Sequence, residues 1–245
     1  MPDMYRLDLP IPYGDQGQYL SPVILRDDRE TILVDCGYPQ SVALLEAAAA
    51  KHGIALSTVT RLVLTHHDMD HIGSAAELKR AYPHIEMIAH EAEAPYIAGA
   101  AKSLRLAQAE ASYDTLPDEA REAAAGFIAF LGSIEPVPID RTVASGERLP
   151  WCGGIEVVHT PGHMPGHISL YLPASRTMIA ADAVVIEAGK LAIANPQYTL
   201  DLEEAVRSVR RLLDYEIDAL ICYHGGLFAG DVHAALLQLL QAYGT

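Results

Sequence analysis

The sequence has few basic residues for its length. Its 245 residues include 17 lysines and arginines but 32 aspartates and glutamates, which gives a formal net charge of −15 at pH 7. A surface of this sign repels phosphate backbones, and the basic residues form no cluster that would offset the repulsion. We therefore expect no nucleic-acid partner. The composition gives no indication of the oligomeric state.

Cysteines and long apolar runs are scarce as well. Cys36, Cys152 and Cys222 are odd in number and far apart, which argues against a disulfide framework and favours a reducing compartment. The N-terminal segment Met1–Pro12 lacks the apolar core of a signal peptide. No uncharged apolar run approaches the ~20 residues that a membrane span needs. We therefore expect a cytoplasmic protein with no membrane segment.

Several common catalytic motifs are missing. The sequence contains no Gly-x-Ser-x-Gly motif, so it does not match the nucleophile elbow of a serine hydrolase. It contains neither a Walker A motif nor a Gly-x-Gly-x-x-Gly loop, which argues against the common nucleotide-binding folds. The chemistry must therefore come from other residues.

Half of the residues are hydrophobic, which predicts a well-packed domain over residues 1–245, or two halves packed as one unit. Strand-like segments occur in hairpins as well as in alternation with helices. This mixture favours an α/β fold of the αββα type, with two mixed sheets flanked by helices, over a doubly wound parallel sheet. The predicted strands are Tyr5–Ile11, Tyr19–Arg26, Thr31–Asp35, Arg61–Leu64, Glu86–Ala89, Arg141–Val143, Ile155–His159, Ile168–Leu172, Thr177–Ala181, Leu191–Ala194 and Ala219–Cys222. The predicted helices are Ser41–His52, Asp70–Tyr82, Leu202–Leu213 and Val232–Tyr243.

Residues 91–133 interrupt the strand pattern. The segment is rich in Ala, Glu, Leu and Arg, and it predicts two or three helices broken near Asp114–Pro117. It is too long for a simple connection, since most connections have about 4–6 residues. We predict a helical cap beside the active site. Its apolar residues, among them Phe127 and Phe130, either pack on the sheet or line an apolar pocket.

Four potential metal ligands, His66, Asp68, Asp70 and His71, directly follow the predicted strand Arg61–Leu64. Alternate residues of an extended chain point the same way, so the first two can converge on one point. The other two lie where the chain turns into a helix and can face a second point. A helix cap with solvated histidines is the simpler alternative, but this density of imidazoles and carboxylates favours zinc, iron or manganese.

This segment resembles the His-x-His-x-Asp-His motif of the metallo-β-lactamase superfamily, in a His-x-Asp-x-Asp-His variant. Three later motifs match the family's third histidine, bridging aspartate and final histidine: Thr160-Pro161-Gly162-His163, Ala181-Asp182 and Tyr223-His224-Gly225-Gly226. The resemblance covers nearly the whole chain and implies the αββα fold and two divalent metal ions. It assigns His66, Asp68 and His163 to one metal, Asp70, His71 and His224 to the other, and Asp182 to both.

Asp68 departs from the commonest family pattern, which has histidine at that position. A carboxylate also occurs there in the superfamily, as glutamate in flavo-diiron proteins. Zinc is the metal that the family implies. We expect Asp68 to shift the preference toward iron or manganese, because a carboxylate is a harder ligand than imidazole.

The resemblance implies a hydrolase in which a hydroxide between the two metals attacks a carbonyl or phosphoryl centre. Asp70 is the predicted catalytic residue, which orients the nucleophile and relays its proton. Asp182 argues against β-lactamase activity, since those enzymes typically have cysteine there. The short sequence after His224 leaves little room for the glutathione-binding helices of glyoxalase II enzymes, and no flavin domain is present.

The first hypothesis is therefore hydrolysis of a small-molecule carboxylic ester, lactone or thioester, similar to the lactonase and glyoxalase II branch. Phosphodiester hydrolysis and an iron-binding redox or sensing module are the alternatives. Related lactonases have a catalytic tyrosine shortly after the bridging aspartate, which is absent here, and Tyr19, Tyr198 and Tyr223 are candidate replacements. We expect His67 to face outward or support the site, and His167 to support the site without binding metal.

Overall fold

The backbone contains two six-stranded β-sheets in a computed structural model that describes residues 2–11 and 18–244. In chain order the strands are β1 Asp3–Arg6, β2 Leu9–Pro10, β3 Tyr19–Leu20, β4 Val23–Arg26, β5 Thr31–Val34, β6 Arg61–Leu64, β7 Glu86–His90, β8 Arg141–Val143, β9 Arg148–Leu149, β10 Ile155–His159, β11 Ile168–Leu172, β12 Thr177–Ala181, β13 Val185–Glu187, β14 Lys190–Ala192, β15 Ala219–Cys222 and β16 Gly226–Leu227. The α-helices are α1 Val42–Ala50, α2 Met69–Ile72, α3 Ala75–Ala81, α4 Ala94–Ile97, α5 Leu104–Tyr113, α6 Asp118–Gly132, α7 Leu202–Leu212 and α8 Val232–Ala242.

Both sheets are mixed, as predicted. The first has the strand order β1-β4-β5-β6-β7-β8, with parallel pairing from β5 to β8. The second has the order β16-β15-β12-β11-β10-β9, and its one parallel pair in the described residues is β12 with β15. The pairs β2–β3 and β13–β14 form separate two-stranded ribbons.

Alternate side chains of the central strands point to opposite faces of each sheet. In β5, Ile32 and Val34 pack in the core between the sheets, whereas Leu33 packs in the cluster that includes α1 and α3. The second sheet contributes residues such as Leu170 and Ile221 to the same inter-sheet core, and its outer face packs with α7 and α8. These layers confirm the predicted αββα sandwich. Burial on both faces explains why the strands are nearly continuous hydrophobic runs.

The predicted strands and helices agree with the structure in most of the core, and the main differences involve proline and glycine. Predicted strand Tyr19–Arg26 is divided into β3 and β4 around Ser21 and Pro22, because proline has no N–H to donate to a sheet. Predicted strand Tyr5–Ile11 is likewise divided into β1 and β2. Predicted helix Asp70–Tyr82 consists of the two short helices α2 and α3, separated at Gly73.

The predicted helical insertion is confirmed. Residues 91–133 are fully described and contain α4, α5 and α6, with the predicted break between Tyr113 and Asp118. Ser103 caps α5 by accepting a hydrogen bond from the Leu106 amide. Helices α5 and α6 pack against each other.

Two other sequence-based expectations can be compared with the structure. All three cysteines are free, in agreement with the expectation from their spacing, and all three are buried. Among the described residues, no helix has both the length and the apolar character needed to cross a membrane.

Gly73 occupies a position where a side chain has no room. Its backbone is ordinary right-handed helical, so the constraint is steric. A Cβ atom there would lie 2.4 Å from the Met69 carbonyl oxygen and 2.4 Å from the Pro39 nitrogen. Gly126, inside α6, has no atom within 4 Å of the corresponding Cβ position. The two glycines therefore form a matched pair for substitution.

We expect Gly73→Ala to lower the free energy of unfolding by about 1–3 kcal/mol, because the loop at Pro39 must move away from α2. Gly126→Ala should instead raise it by up to about 1 kcal/mol, since alanine is the better helix former. Equilibrium urea denaturation of the metal-free proteins measures both. Equal effects of the two substitutions would contradict the proposed close packing behind α2.

Candidate metal centre

The predicted metal ligands meet at one edge of the two sheets. Strands β5 and β6 run in the same direction, as do β10, β12 and β15, so their carboxyl ends lie together. The first motif follows β6, and the later motifs follow β10, β12 and β15. The structure brings all seven predicted ligands to this edge: His66, Asp68, Asp70, His71, His163, Asp182 and His224.

His66, Asp68 and His163 form the first group of potential ligands. The Oδ2 atom of Asp68 lies 2.9 Å from His163 Nε2 and 3.6 Å from His66 Nε2. These three atoms surround one point, as expected for ligands of a single ion. All three side chains are buried.

Asp70, His71 and His224 form the second group, and Asp182 forms a further group with His66 of the first and His71 of the second. Asp70 Oδ2 is 3.1 Å from His224 Nε2 and 3.8 Å from His71 Nε2. Asp182 Oδ2 lies 3.5 Å from His224 Nε2 and 3.8 Å from His163 Nε2, so this carboxylate reaches a member of each group. Asp182 therefore occupies the middle position, and Asp70 lies with the second group.

The donor atoms fit a metal site. His66 Nε2, His71 Nε2 and Asp182 Oδ1 are buried and have no hydrogen-bond partner among the described residues. Leaving buried polar atoms unpaired costs about 1–3 kcal/mol each. Three such atoms at one edge of the fold are accounted for if they bind cations, and imidazole with carboxylate is a donor set that suits zinc, iron or manganese.

Asp35, which sequence reasoning missed, holds His71 and the start of the motif. Its Oδ2 atom is 2.8 Å from His71 Nδ1, and its two oxygens accept hydrogen bonds from the amide and hydroxyl of Thr65. This contact leaves Nε2 of His71 directed at the proposed metal, as is usual for metal-binding histidines. Asp35 directly follows β5, so the position of a carboxylate at a strand end was the available signal.

His167 supports Asp182 and does not face the donor atoms. Its Nε2 accepts a hydrogen bond from the Asp182 amide, and its Nδ1 is 2.9 Å from Thr160 Oγ1. Thr160 also contacts the Ser169 hydroxyl, which donates to the Ala180 carbonyl. This series of hydrogen bonds holds the end of β12 at Ala180 and at Asp182. The arrangement agrees with the supporting role predicted for His167.

The charges of the site fit cation binding. Burial alone would lower the pKa of His71, but the carboxylates of Asp182, Asp35 and Asp70 outweigh burial and raise this pKa well above its ordinary value. Burial opposes ionisation of Asp182, yet His224 and His71 hold its pKa well below the usual range. Asp182 is therefore ionised, and a metal would replace the proton held by His71, because a histidine ligand is neutral.

His67 does not face outward, which corrects one of the two alternatives for this residue. The side chain is buried, and its Nδ1 makes a short contact with a carboxylate oxygen of Glu93. Glu93 also accepts hydrogen bonds from the His67 amide and the Gly166 amide, and His67 Nε2 accepts one from the Leu104 amide. His67 thus links the first motif to the chain beside the third motif and to the helical insertion.

Asp68 has a partner that the sequence did not reveal. The buried Arg105 of α5 donates two hydrogen bonds to the two oxygens of Asp68. An arginine near the start of a helix is an ordinary feature, so the sequence offered no clear signal for this pair.

The cleft above the donor atoms has a volume of about 660 Å³. Its wall includes Arg105 of the insertion but neither Phe127 nor Phe130. The two phenylalanine rings are only partly buried. The hypothesis that these rings line a pocket above the metals is therefore wrong for this cleft, whereas the insertion does lie beside it.

The tyrosines of the cleft differ from the predicted set. Tyr223 is buried, and its hydroxyl donates to the Asp70 carbonyl and accepts from the Gly37 amide, so it is not free for substrate. Tyr19 and Tyr198 line the cleft but are 46% and 39% exposed. Tyr38, which was not predicted, also lines the cleft, and its hydroxyl has no hydrogen bond to any described residue.

Comparison with protein-family models gives one match. The model described as the metallo-beta-lactamase superfamily matches residues 20–224. The matched region begins at β3 and ends at His224, so it includes every motif that contributes to the candidate metal centre.

Related proteins include several hydrolases. The chain is 28% identical over 211 residues to the probable metallo-hydrolase YflN of Bacillus subtilis (strain 168), an alignment that covers 79% of this chain and 75% of the relative. It is 26% identical over 163 residues to the hydroxyacylglutathione hydrolase of Rhizobium meliloti (strain 1021). That alignment covers 66% of this chain but only 46% of the relative, so the chain spans less than half of that enzyme.

Solved structures show the same fold. The metallo-beta-lactamase family protein TTHA1429 from Thermus thermophilus superimposes with a TM-score of 0.76 at 24% identity. The superposition covers 98% of this chain and 79% of that protein. At this identity the likeness establishes the fold and leaves the substrate open.

The position of Asp182 between the two groups predicts how metal binding responds to substitution. We expect the protein, loaded with zinc and freed of excess ion, to hold about two metal equivalents per chain by elemental analysis. Asp182→Asn should weaken both sites, because Asp182 reaches both groups. His224→Ala should weaken only the second site, leaving about one equivalent.

Asp231→Asn is the control, since this exposed residue caps α8 outside the cleft and asparagine caps equally well. It should retain the metal content of the parent protein. A parent protein without bound metal, or an Asp182→Asn variant with full occupancy, would contradict the assignment.

Proposed function

Because the chain belongs to the metallo-β-lactamase superfamily, we propose that it is a two-metal hydrolase of a carboxylic ester, lactone or thioester. The observation that carries the proposal is the position of Asp182 between two groups of histidine and aspartate donors, at the base of an open cleft. The relatives support a hydrolase, and the acyl substrate class is what we propose beyond them.

Two divalent ions held by the seven ligands would supply a water-derived nucleophile at neutral pH and polarise the scissile oxygen. The groups of the protein complete the site. Asp70 lies beside His224 at the open side of the centre, where its carboxylate orients the attacking water and accepts its proton. His224 is 32% exposed, so this side of the centre is accessible from the cleft.

Tyr38 is suited to contact the substrate. Its backbone is fixed, because the Ser74 hydroxyl donates to the Tyr38 carbonyl at 2.6 Å and the Cys36 amide donates to the His71 carbonyl. Partial burial and the carboxylates of Asp70 and Asp182 raise the pKa of Tyr38 well above its ordinary value. A phenol has an ordinary pKa of about 10, so at neutral pH the hydroxyl carries its proton and can donate a hydrogen bond to the substrate oxygen on which negative charge develops.

The charge of the cleft supports an acyl substrate over a phosphodiester. Its described wall has two arginines and no lysine, and each arginine is paired with a carboxylate: Arg6 with Asp8 and Arg105 with Asp68. No unpaired arginine or lysine of this wall is available for a phosphate. Apolar residues such as Val185 and Ile186 line another part of the cleft and suit an uncharged acyl or lactone portion.

The relatives support the same class of reaction. Hydroxyacylglutathione hydrolases act, as their name says, on an acyl derivative of glutathione. This chain spans less than half of the Rhizobium enzyme. We therefore propose only the hydrolysis of an acyl group and do not extend the glutathione thiol of that enzyme's substrate to this chain.

A substrate panel tests the proposal. We expect the zinc-loaded protein to hydrolyse at least one class among aryl esters, lactones and thioesters with a higher kcat/KM than a bis-aryl phosphodiester, because the described cleft wall has no lysine and no unpaired arginine to hold a phosphate beside the metals. The Asp182→Asn variant, assayed in parallel, should lose this activity. Faster turnover of the phosphodiester, or equal activity of Asp182→Asn, would overturn the proposed function.

Tyr38→Phe should lower kcat on the best acyl substrate by about 10²-fold, the usual effect of losing one donor to a developing oxyanion. Metal content should be unchanged, because Tyr38 belongs to neither ligand group. Tyr243→Phe, at the exposed end of α8, is the matched control and should keep full activity. If the two variants had the same kcat, Tyr38 would have no role in the reaction.

A further inference from the structure

Arg105 differs from the other arginine of the cleft. Arg6 is 38% exposed and pairs with the exposed Asp8, as an ordinary surface residue does. The Arg105 side chain is only 2% exposed and faces Asp68, which is 7% exposed. A buried arginine keeps its charge, so its position requires a specific partner.

The guanidinium of Arg105 holds both oxygens of Asp68. Its Nε donates to Oδ1 at 3.0 Å, and its Nη2 donates to Oδ2 at 2.6 Å. Nη2 also donates to the Tyr198 carbonyl, and Nη1 donates to the side chain of Gln108. Every nitrogen of the guanidinium is therefore engaged within the protein. This makes Arg105 poorly suited to bind a substrate anion directly.

The same carboxylate faces the first metal position. Asp68 Oδ2, which accepts from Arg105, also lies 2.9 Å from His163 Nε2. A carboxylate has about four lone-pair positions, so one edge can accept the guanidinium while a lone pair of Oδ2 remains for a cation. With both oxygens fixed in this way, Asp68 cannot turn its full edge toward an ion.

The charge of the pair has a consequence for the ion. Two neutral imidazoles, His66 and His163, together with the Asp68 carboxylate carry one negative charge. The Arg105 guanidinium, whose Nη2 lies 2.6 Å from Asp68 Oδ2, offsets this charge. The net charge of the three ligands and Arg105 is therefore zero, the same as that of three neutral histidines. We propose that Arg105 is a positioning residue that sets the metal preference of the first site, keeping Asp68 a single-oxygen ligand with its charge offset.

This proposal rests on the proposed two-metal site and reverses the preference expected from Asp68 alone. An unpaired carboxylate favours manganese or iron, which accept more oxygen ligands, whereas zinc is satisfied by four ligands. A carboxylate restricted to one oxygen and offset by a cation acts more like an imidazole. We therefore expect Arg105 to keep the first site selective for zinc.

The fold delivers Arg105 to this position through its neighbours. The Leu104 amide donates to His67 Nε2 at 3.2 Å, and the next residue, Arg105, reaches Asp68. Two consecutive residues of the metal motif thus hold two consecutive residues at the start of α5. Ser103 caps the same helix. The insertion is in this way attached to the metal motif at its first turn.

Metal competition tests the proposal with metal alone as the probe. His224→Ala would be the common background, so that the first site dominates the signal. The apparent affinities for zinc and manganese are measured by chelator competition and elemental analysis. We expect Arg105→Gln to reduce the zinc-to-manganese affinity ratio by about 10-fold or more, the usual scale for losing a partner that orients a metal ligand.

One further variant separates the effect of charge from that of orientation, and another serves as a control. Arg105→Lys keeps the positive charge but lacks the fork that holds two oxygens, so its ratio should also fall. A ratio equal to that of the parent would show that orientation is not involved. Arg121→Gln, an exposed arginine of α6 in the same insertion, is the control and should keep the parent ratio.

A double substitution keeps the test valid if Arg105→Gln folds poorly. Asp68→His alone places an imidazole beside an uncompensated buried guanidinium, so zinc binding should weaken. Adding Arg105→Gln removes that cation, and the double variant should bind zinc more tightly than Asp68→His and recover the parent preference for zinc over manganese. Thermal unfolding of the metal-free proteins reports folding independently of metal.

The outcomes distinguish this proposal from the proposed function. If the parent protein bound no metal, the two-metal function would fail. If the parent bound zinc and manganese and Arg105→Gln left their ratio unchanged, the role of Arg105 would be overturned while the metal site remained. The same conclusion would follow if Asp68→His and the double variant bound zinc equally well.

Discussion

The burial of four aspartates at one edge of the sandwich is the constraint on which this structure depends. Asp35, Asp68, Asp70 and Asp182 are all buried, and an uncompensated carboxylate in a protein interior costs several kcal/mol. Two of them are compensated from within, Asp35 by His71 and Thr65 and Asp68 by a guanidinium. The other two, Asp70 and Asp182, face histidines, and one of these, His71, is already shared with Asp35. The remaining negative charge is the physical reason why this edge suits cations from solution.

Neither sheet supplies these groups alone. Asp35 and the first motif follow strands of the first sheet, whereas Asp182 and His224 follow strands of the second. The distances between donor atoms therefore depend on the inter-sheet core. Two local backbone features also shape this edge. Asp35 and Ala181 both have positive φ, at 59° and 48°, and the β12–β15 register is irregular just before Ala181. Such conformations cost about 1–3 kcal/mol and persist where surrounding contacts impose them.

The resemblance of the four motifs to the family, together with the hydrophobic strand before each motif, was enough to predict the fold and the convergence of the seven donors. Roles that depend on contacts between distant segments were not predictable in the same way. Arg105 lies 37 residues from Asp68, and no local pattern indicates that a helix in the insertion returns to the motif. The apolar character of Phe127 and Phe130 likewise indicated partial burial but not which surface they cover. Tyr38 was not predicted because the expectation for a tyrosine followed the lactonase pattern.

The contacts of the insertion connect the candidate metal motif to the wall of the cleft. His67 and Asp68 bind the start of α5, and the Arg105 guanidinium also donates to the carbonyl of Tyr198, another residue of the cleft wall. A shift of α5 would therefore pull on Asp68, a candidate metal ligand. The reverse also holds, since an ion that drew Asp68 inward would draw Arg105 and the cleft wall with it. The insertion is for this reason part of the candidate metal centre as well as part of the cleft.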